Sequence, residues 1–142
     1  MDKDLIKQLH EEWRAVVQAI GRKLKPILGA QKLTRVDGIV MMTVQKGKAR
    51  TKAELAERLH FEPASLTRSL NRLVKRGLIR RYPDPADKRF IRLELTKSGE
   101  SLTQALEKNM LSIWKTAFQD ATHQETLIFI KLLQNAQRNL NR

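Results

Sequence analysis

The stretch Leu78–Leu95 reads LIRRYPDPADKRFIRLEL, and its pattern decides the fold. Ile91, Leu93 and Leu95 alternate with Arg92 and Glu94, the period of a strand with one face on a core. LIRRY (78–82) and FIRLEL (90–95) therefore read as an antiparallel pair. Between them, Pro83–Arg89 carry two prolines and four charges. Proline presets φ and lowers the entropy that a loop loses on ordering. The pattern predicts a hairpin with a stiff, charged tip.

Immediately upstream, Gly77 closes a helix over 63–76 as a C-terminal glycine, and Pro63 suits its first position, where no amide is needed. At 100° per residue, Leu66, Leu70, Leu73 and Val74 fall on one arc of that helix. Ala64, Ser65, Arg68, Asn71, Arg72 and Lys75 fall opposite. Such a face suits a helix that reads a major groove. Small residues let its N-terminal end approach base edges, Arg forks onto guanine, and the helix N-terminus attracts phosphate. An ordinary solvated basic face is the simpler alternative. Before it, Thr51 and Glu54 cap a helix over about 51–60 that buries Leu55, Ala56 and Leu59, and HFE makes a short turn. The order is helix–turn–helix, then hairpin.

Charge favours the groove-reading alternative. The 142 residues hold 28 Lys/Arg against 15 Asp/Glu, a net +13, which calls for a polyanionic partner. Residues 46–92 alone hold fourteen Lys/Arg and five Asp/Glu, so the excess concentrates around the two candidate reading elements. At the hairpin tip, Lys88 and Arg89 are placed to reach phosphates or an adjacent minor groove. Asp87 is best used in pairing with Arg89 and fixing its direction.

Farther out, helices are predicted over 4–28, 34–46, 97–121 and from 122 onward. Pro26 should bend or end the first. Thr34 with Asp37 and Thr122 with Glu125 form capping boxes. Gly38 weakens its helix by about 1 kcal/mol against Ala. The first and last helices carry apolar stripes too continuous to stand alone in water. The middle, 46–96, is more compact than either end.

Several classes are set aside. The absence of cysteine removes disulfides and Cys-ligated zinc. The start, MDKDLIKQLHEEW, lacks the apolar region of a secretory signal. No apolar run approaches the ~18 residues of a membrane span, so no membrane partner and a cytoplasmic location are expected. His10, His60 and His123 show no metal-ligand spacing. With no catalytic constellation or phosphate loop in view, neither an enzyme nor a cofactor is expected.

The segment ELAERLHFEPASLTRSLNRLVKRGLIRRYPDPADKRFIRLELTKSGE (54–100) resembles the MarR family of winged helix–turn–helix regulators. The likeness lies in ELA…L, S-x-T-x-x-x-x-L, L-x-x-x-G-L-I-x-R, D-x-R and L-T-x-x-G, taken in that order. WRA at 13–15, LKP at 24–26 and LT at 33–34 look like the SlyA branch. The resemblance implies a mainly α fold with a small β-hairpin wing. Residues 1–45 would supply a dimerisation helix and a supporting helix. Residues 46–96 would be the DNA-binding lobe, and 97–142 further dimerisation helices, all within one intertwined domain. It implies a homodimer on a pseudo-palindrome in double-stranded DNA, a repressor or an activator according to where the operator lies. Ala64, Ser65, Thr67, Arg68 and Arg72 would sit at the reading helix, with Thr67's contact resting on the resemblance alone. Asp87, Lys88 and Arg89 would serve the wing, with Arg89 in the minor groove. Many family members bind small aromatic acids, and Trp13 and Arg14 lie near where such a carboxylate would sit. Asp37-Gly38 departs from the branch there, and the simpler reading is dimer core for Trp13 and core for Trp114. Two alternatives stay open: a protein that coats DNA without sequence preference, and an interaction module docking an acidic protein.

Overall fold

The computed structural model describes residues 1–142. Helix α1 spans Lys3–Ala30, α2 Arg35–Gln45, α3 Lys52–Leu59 and α4 Pro63–Lys75. Strands β1 (Ile79–Pro83) and β2 (Ile91–Leu95) follow, then α5 (Lys97–Ala117) and α6 (His123–Leu140). The fold is therefore mostly helical with one two-stranded antiparallel hairpin, as expected. The chain divides into two compact units, Met1–Met110 and Leu111–Arg142.

In the first unit one apolar core joins α2, α3, α4 and the hairpin. Val40, Met41, Leu55, Leu66, Leu70, Leu73, Ile79 and Leu93 are buried in it. The wheel arc of α4 is thus the arc that the core takes. Helix α2 belongs to this core, packing on both α4 and β2. The capping box of Thr34 and Asp37 forms, with amide-to-oxygen distances of 3.1 and 2.9 Å. Gly38 is explained by its neighbour: a β-carbon there would stand 3.3 Å from Leu28 Cδ2. A larger residue would need the Leu28 side chain of α1 to give way by a few tenths of an ångström.

Some boundaries differ from expectation, each for a local reason. Pro26 lies inside α1 and does not end it. Proline removes one helical hydrogen bond without forcing a stop, and α1 closes instead at Gln31 and Lys32, the latter at φ +52°. Leu78 was expected in the first strand. Its amide instead donates to Leu73 O at 2.9 Å, completing the C-terminal turn of α4, with Gly77 at φ +68°. The strand begins one residue later and runs to Pro83. The register pairs Ile79 with Leu95, Arg81 with Leu93 and Pro83 with Ile91. Ile91 was expected on the core face but is 48% exposed. It occupies the last rung of the ladder, next to the tip, while Leu93 two residues on is buried. Helix α5 ends at Ala117, four residues short of the expected 121, where Gln119 N bonds Thr116 O in a tightened turn.

In the second unit, Trp114 stacks on Phe118 at 5.8 Å and Phe118 meets Phe129 at 5.1 Å. The Thr122–Glu125 capping box forms at the start of α6. Neither α1 nor α6 has a buried residue. No helix is long and apolar enough to cross a membrane.

Candidate nucleic-acid interface

Pro63 starts α4, and Glu62 before it makes no side-chain cap, so the first amides of the helix have no side-chain acceptor. Ala64 is exposed beside them, and Ser65 is partly covered. Arg68 is exposed and donates only to Ser65 Oγ, at 3.3 Å one turn back. Thr67 turns its hydroxyl to Pro63 O at 2.8 Å, leaving the oxygen free to accept.

The remaining basic residues of the lobe divide by what they touch. Arg72 donates to Asp37 Oδ1 at 2.9 Å and reaches Thr34 Oγ1 at 3.4 Å. The sequence pattern put Arg72 on the outward reading face. Its guanidinium is instead engaged by α2, although the side chain remains 45% exposed. Arg76 donates to the carbonyls of Gln31 and Lys32, at 2.8 and 3.1 Å. Arg81 in β1 donates to Asn71 Oδ1 at 2.7 Å, tying the wing to α4. Arg80 pairs with Glu94 and lies over the Tyr82 ring. Arg68, Lys75 and Lys88 have no carboxylate within salt-bridge distance.

The wing tip is a fixed object. Asp84, buried at its base, accepts the amides of Ala86 at 2.7 Å and Asp87 at 3.2 Å. It also accepts the Arg92 guanidinium. That guanidinium, and then the Ala86 amide, hold the Asp84 carboxyl below the usual carboxylate range. Asp87 grips Arg89 through Nε at 3.0 Å, Nη2 at 2.7 Å and the backbone amide at 3.1 Å. These bonds lower the Asp87 carboxyl and raise the Arg89 guanidinium. The expected Asp87–Arg89 pair therefore forms, and Arg89 is still 86% exposed at its side chain. Lys88 beside it is exposed too.

Sequence carries a signal for Asp84, since an aspartate two residues before an amide it caps is ordinary turn chemistry. It carries none for Ser69. That hydroxyl is fully buried and donates to Asp37 at 2.5 Å across 32 residues of chain. Trp13 and Arg14 are both exposed on α1. An open cavity of about 570 Å³ lies elsewhere, between the end of α2 and the wing, lined by Gln45, Arg50, Tyr82, Arg92 and Glu94 among others.

Comparison with known proteins agrees with this geometry. The MarR family model matches residues 31–89. The uncharacterized HTH-type transcriptional regulator YhbI of Bacillus subtilis is 31% identical over 98 residues, which are 69% of this chain and 64% of YhbI. A mutant MarR from E. coli, solved in complex with operator DNA, superposes with a TM-score of 0.75 at 25% identity, over 96% of this chain and 99% of that one. Together these show that the chain is similar to MarR-family proteins, most of all from α2 through the wing. A MarR family protein from Bacillus stearothermophilus matches the fold over all of this chain and 99% of its own, with a TM-score of 0.86 at 15% identity. The MarR-family model covers α2, the helix–turn–helix and the wing through Arg89, the segment that carries Arg68, Lys88 and Arg89. Members of this family are transcription regulators rather than enzymes.

Proposed function

We propose that the chain is a sequence-specific, double-stranded-DNA-binding transcription regulator that acts as a homodimer on a pseudo-palindromic operator. One observation carries the reading. A basic helix with Arg68 exposed and unpaired with any carboxylate and a wing tip with Arg89 held outward by Asp87 stand on one lobe. Arg68, with Ala64 and Ser65, reads base edges from the major groove, and the Thr67 hydroxyl turns from Pro63 O to donate to a phosphate. Arg89 enters the neighbouring minor groove while Lys88 neutralises phosphate. The relative solved with operator DNA supports the choice of partner.

The dimer rests on apolar surface. Leu5, Leu9, Trp13, Val16 and Val17 are exposed along α1, as are Leu127, Ile128, Ile130 and Leu132 along α6. Faces of that extent mark interfaces rather than solvent boundaries. In the same reading, 1–45 and 97–142 are the dimerisation parts and 46–96 the DNA-binding lobe. A small aromatic carboxylate is the proposed effector class, with Trp13 stacking on the ring and Arg14 pairing with the acid. Both are exposed on α1, so a second copy would complete that site. The SlyA-like placement and the cytoplasmic location belong to this proposal.

The test is a fluorescence titration with 20-bp duplexes over a range of salt, preceded by selection from a random pool. Enrichment of a palindrome, with log affinity falling steeply with log salt, is the expected result. Binding without enrichment would mean a coating protein, and no binding an acidic protein partner.

A further inference from the structure

Asp37 is almost fully buried. Its two oxygens serve different helices. Oδ2 accepts the Thr34 amide at 2.9 Å and closes the capping box of α2. Oδ1 accepts two groups from α4, the Ser69 hydroxyl at 2.5 Å and Arg72 Nη2 at 2.9 Å. Ser69 and Arg72 are three residues apart, on adjacent turns of one flank of α4. Arg68 directly precedes Ser69 and lies one turn before Arg72, so the flank that grips Asp37 adjoins the face that carries Arg68.

We propose that Asp37 is the positioning residue of the reading helix: one carboxylate, anchored in the cap of α2, fixes the rotation of α4 about its axis. The inference rests on the DNA-binding reading above. The apolar contacts of Leu66, Leu70 and Leu73 hold the helix on the core but are non-directional. Two donors converging on one fixed oxygen do not tolerate small rolling. Arg76, bound to the carbonyls of Gln31 and Lys32, pins the far end of the same helix. A helix with side chains has a radius of ~5–6 Å, so a roll of ~10° moves a group on its rim by about 1 Å. That is beyond the ~0.5 Å within which a binding constellation must be held. Base discrimination by Arg68 then depends on a residue that does not face the duplex. Arg72, in this assignment, acts through Asp37.

The experiment uses the full chain and two duplexes, one enriched from a random pool by the wild type and one of random sequence. Asp37→Asn and Ser69→Ala are each titrated against both, over a range of salt, with circular dichroism to verify folding. Asp37→Asn removes a charge and weakens the grip on Arg72. Ser69→Ala changes no charge. Both are expected to lower the enriched-to-random affinity ratio by about three- to tenfold. Random-duplex affinity should be undiminished in Asp37→Asn, where Arg72 is released. A purely structural role would lower folded content and leave the ratio of the folded fraction unchanged. An unchanged ratio in folded Ser69→Ala overturns the proposal, even if Asp37→Asn does not fold. A ratio that falls in Asp37→Asn alone also overturns it, because charge and not position would be the cause. Failure of the wild type to enrich any duplex overturns the DNA-binding reading itself, and is seen before any variant is compared.

Discussion

The carbonyl oxygen of Leu78 lies 2.0 Å from where a β-carbon at position 99 would be, so Gly99 is the one residue that lets α5 start against the root of the wing. The neighbouring bonds show what that contact holds. Thr96 N donates to the same Leu78 oxygen at 3.1 Å, and Thr96 Oγ1 donates to Gly77 O. The end of α4, the base of the hairpin and the start of α5 are one junction.

Gly99→Ala therefore forces backbone apart rather than displacing a flexible side chain. Overpacking of this kind costs about 3 kcal/mol, at the upper end of the usual range. Urea unfolding should show a lowered midpoint with an unchanged slope. A midpoint equal to that of the wild type would contradict the junction.

Two exposed cations should fail differently. Arg68→Ala should reduce discrimination between operator and random duplex by about 1–3 kcal/mol, the worth of a bidentate base contact. Lys88→Ala should weaken both duplexes alike and reduce the salt slope by about 1. Titrations of both variants at several salt concentrations measure this. An unchanged affinity ratio in Arg68→Ala would remove that residue from the major groove.

Asp84→Asn leaves the wing tip with one less fixed acceptor and an unpaired Arg92. The strands should persist, since their ladder does not include Asp84. Hydrogen exchange should quicken at the amides of Ala86 and Asp87, with little change at Leu93, whose amide bonds Arg50 O at 2.8 Å. Uniform protection across wild type and variant would show that the prolines alone stiffen the tip.

Burial pushes the Asp37 carboxyl up, but the Ser69 hydroxyl, the Thr34 amide and Arg72 outweigh it and leave it below its ordinary 3.8. A depressed folded value means that the charged form is favoured in the native state. That contribution is complete above the unfolded pKa and is lost as pH falls through the folded one. Asp37→Ala should cost about 1–3 kcal/mol at pH 7, since it strands the Ser69 hydroxyl in the core. The difference in Tm between wild type and variant should stay constant from pH 7 to about 5 and narrow below about 4. A constant difference down to pH 2 would mean that the charge contributes nothing.

The apolar surface of α1 predicts association. The chain should sediment at twice 16.4 kDa at micromolar concentration. Val17→Glu, on a helix with no buried residue, should remain folded and shift towards 16.4 kDa. A folded wild-type monomer would leave the exposed faces of α1 and α6 without an occupant.

Local pattern determined the kind and order of the elements of this protein and the chemistry of its wing tip. Alternation at Ile91, Leu93 and Leu95, the prolines at 83 and 85, and the spacing of Asp87 and Arg89 act within a few residues. Their consequences follow from bond geometry and short-range electrostatics, so they are readable in order along the chain. Tertiary structure decided which cations stay free. Arg68 and Arg72 sit one turn apart on the same helix and look alike in sequence, yet one faces solvent and the other is held by Asp37, 35 residues away. Gly38, Ser69 and Gly99 likewise take their meaning from Leu28, Asp37 and Leu78, neighbours that packing supplies. A side chain's partner across the core depends on how helices cross, and no local period records that angle.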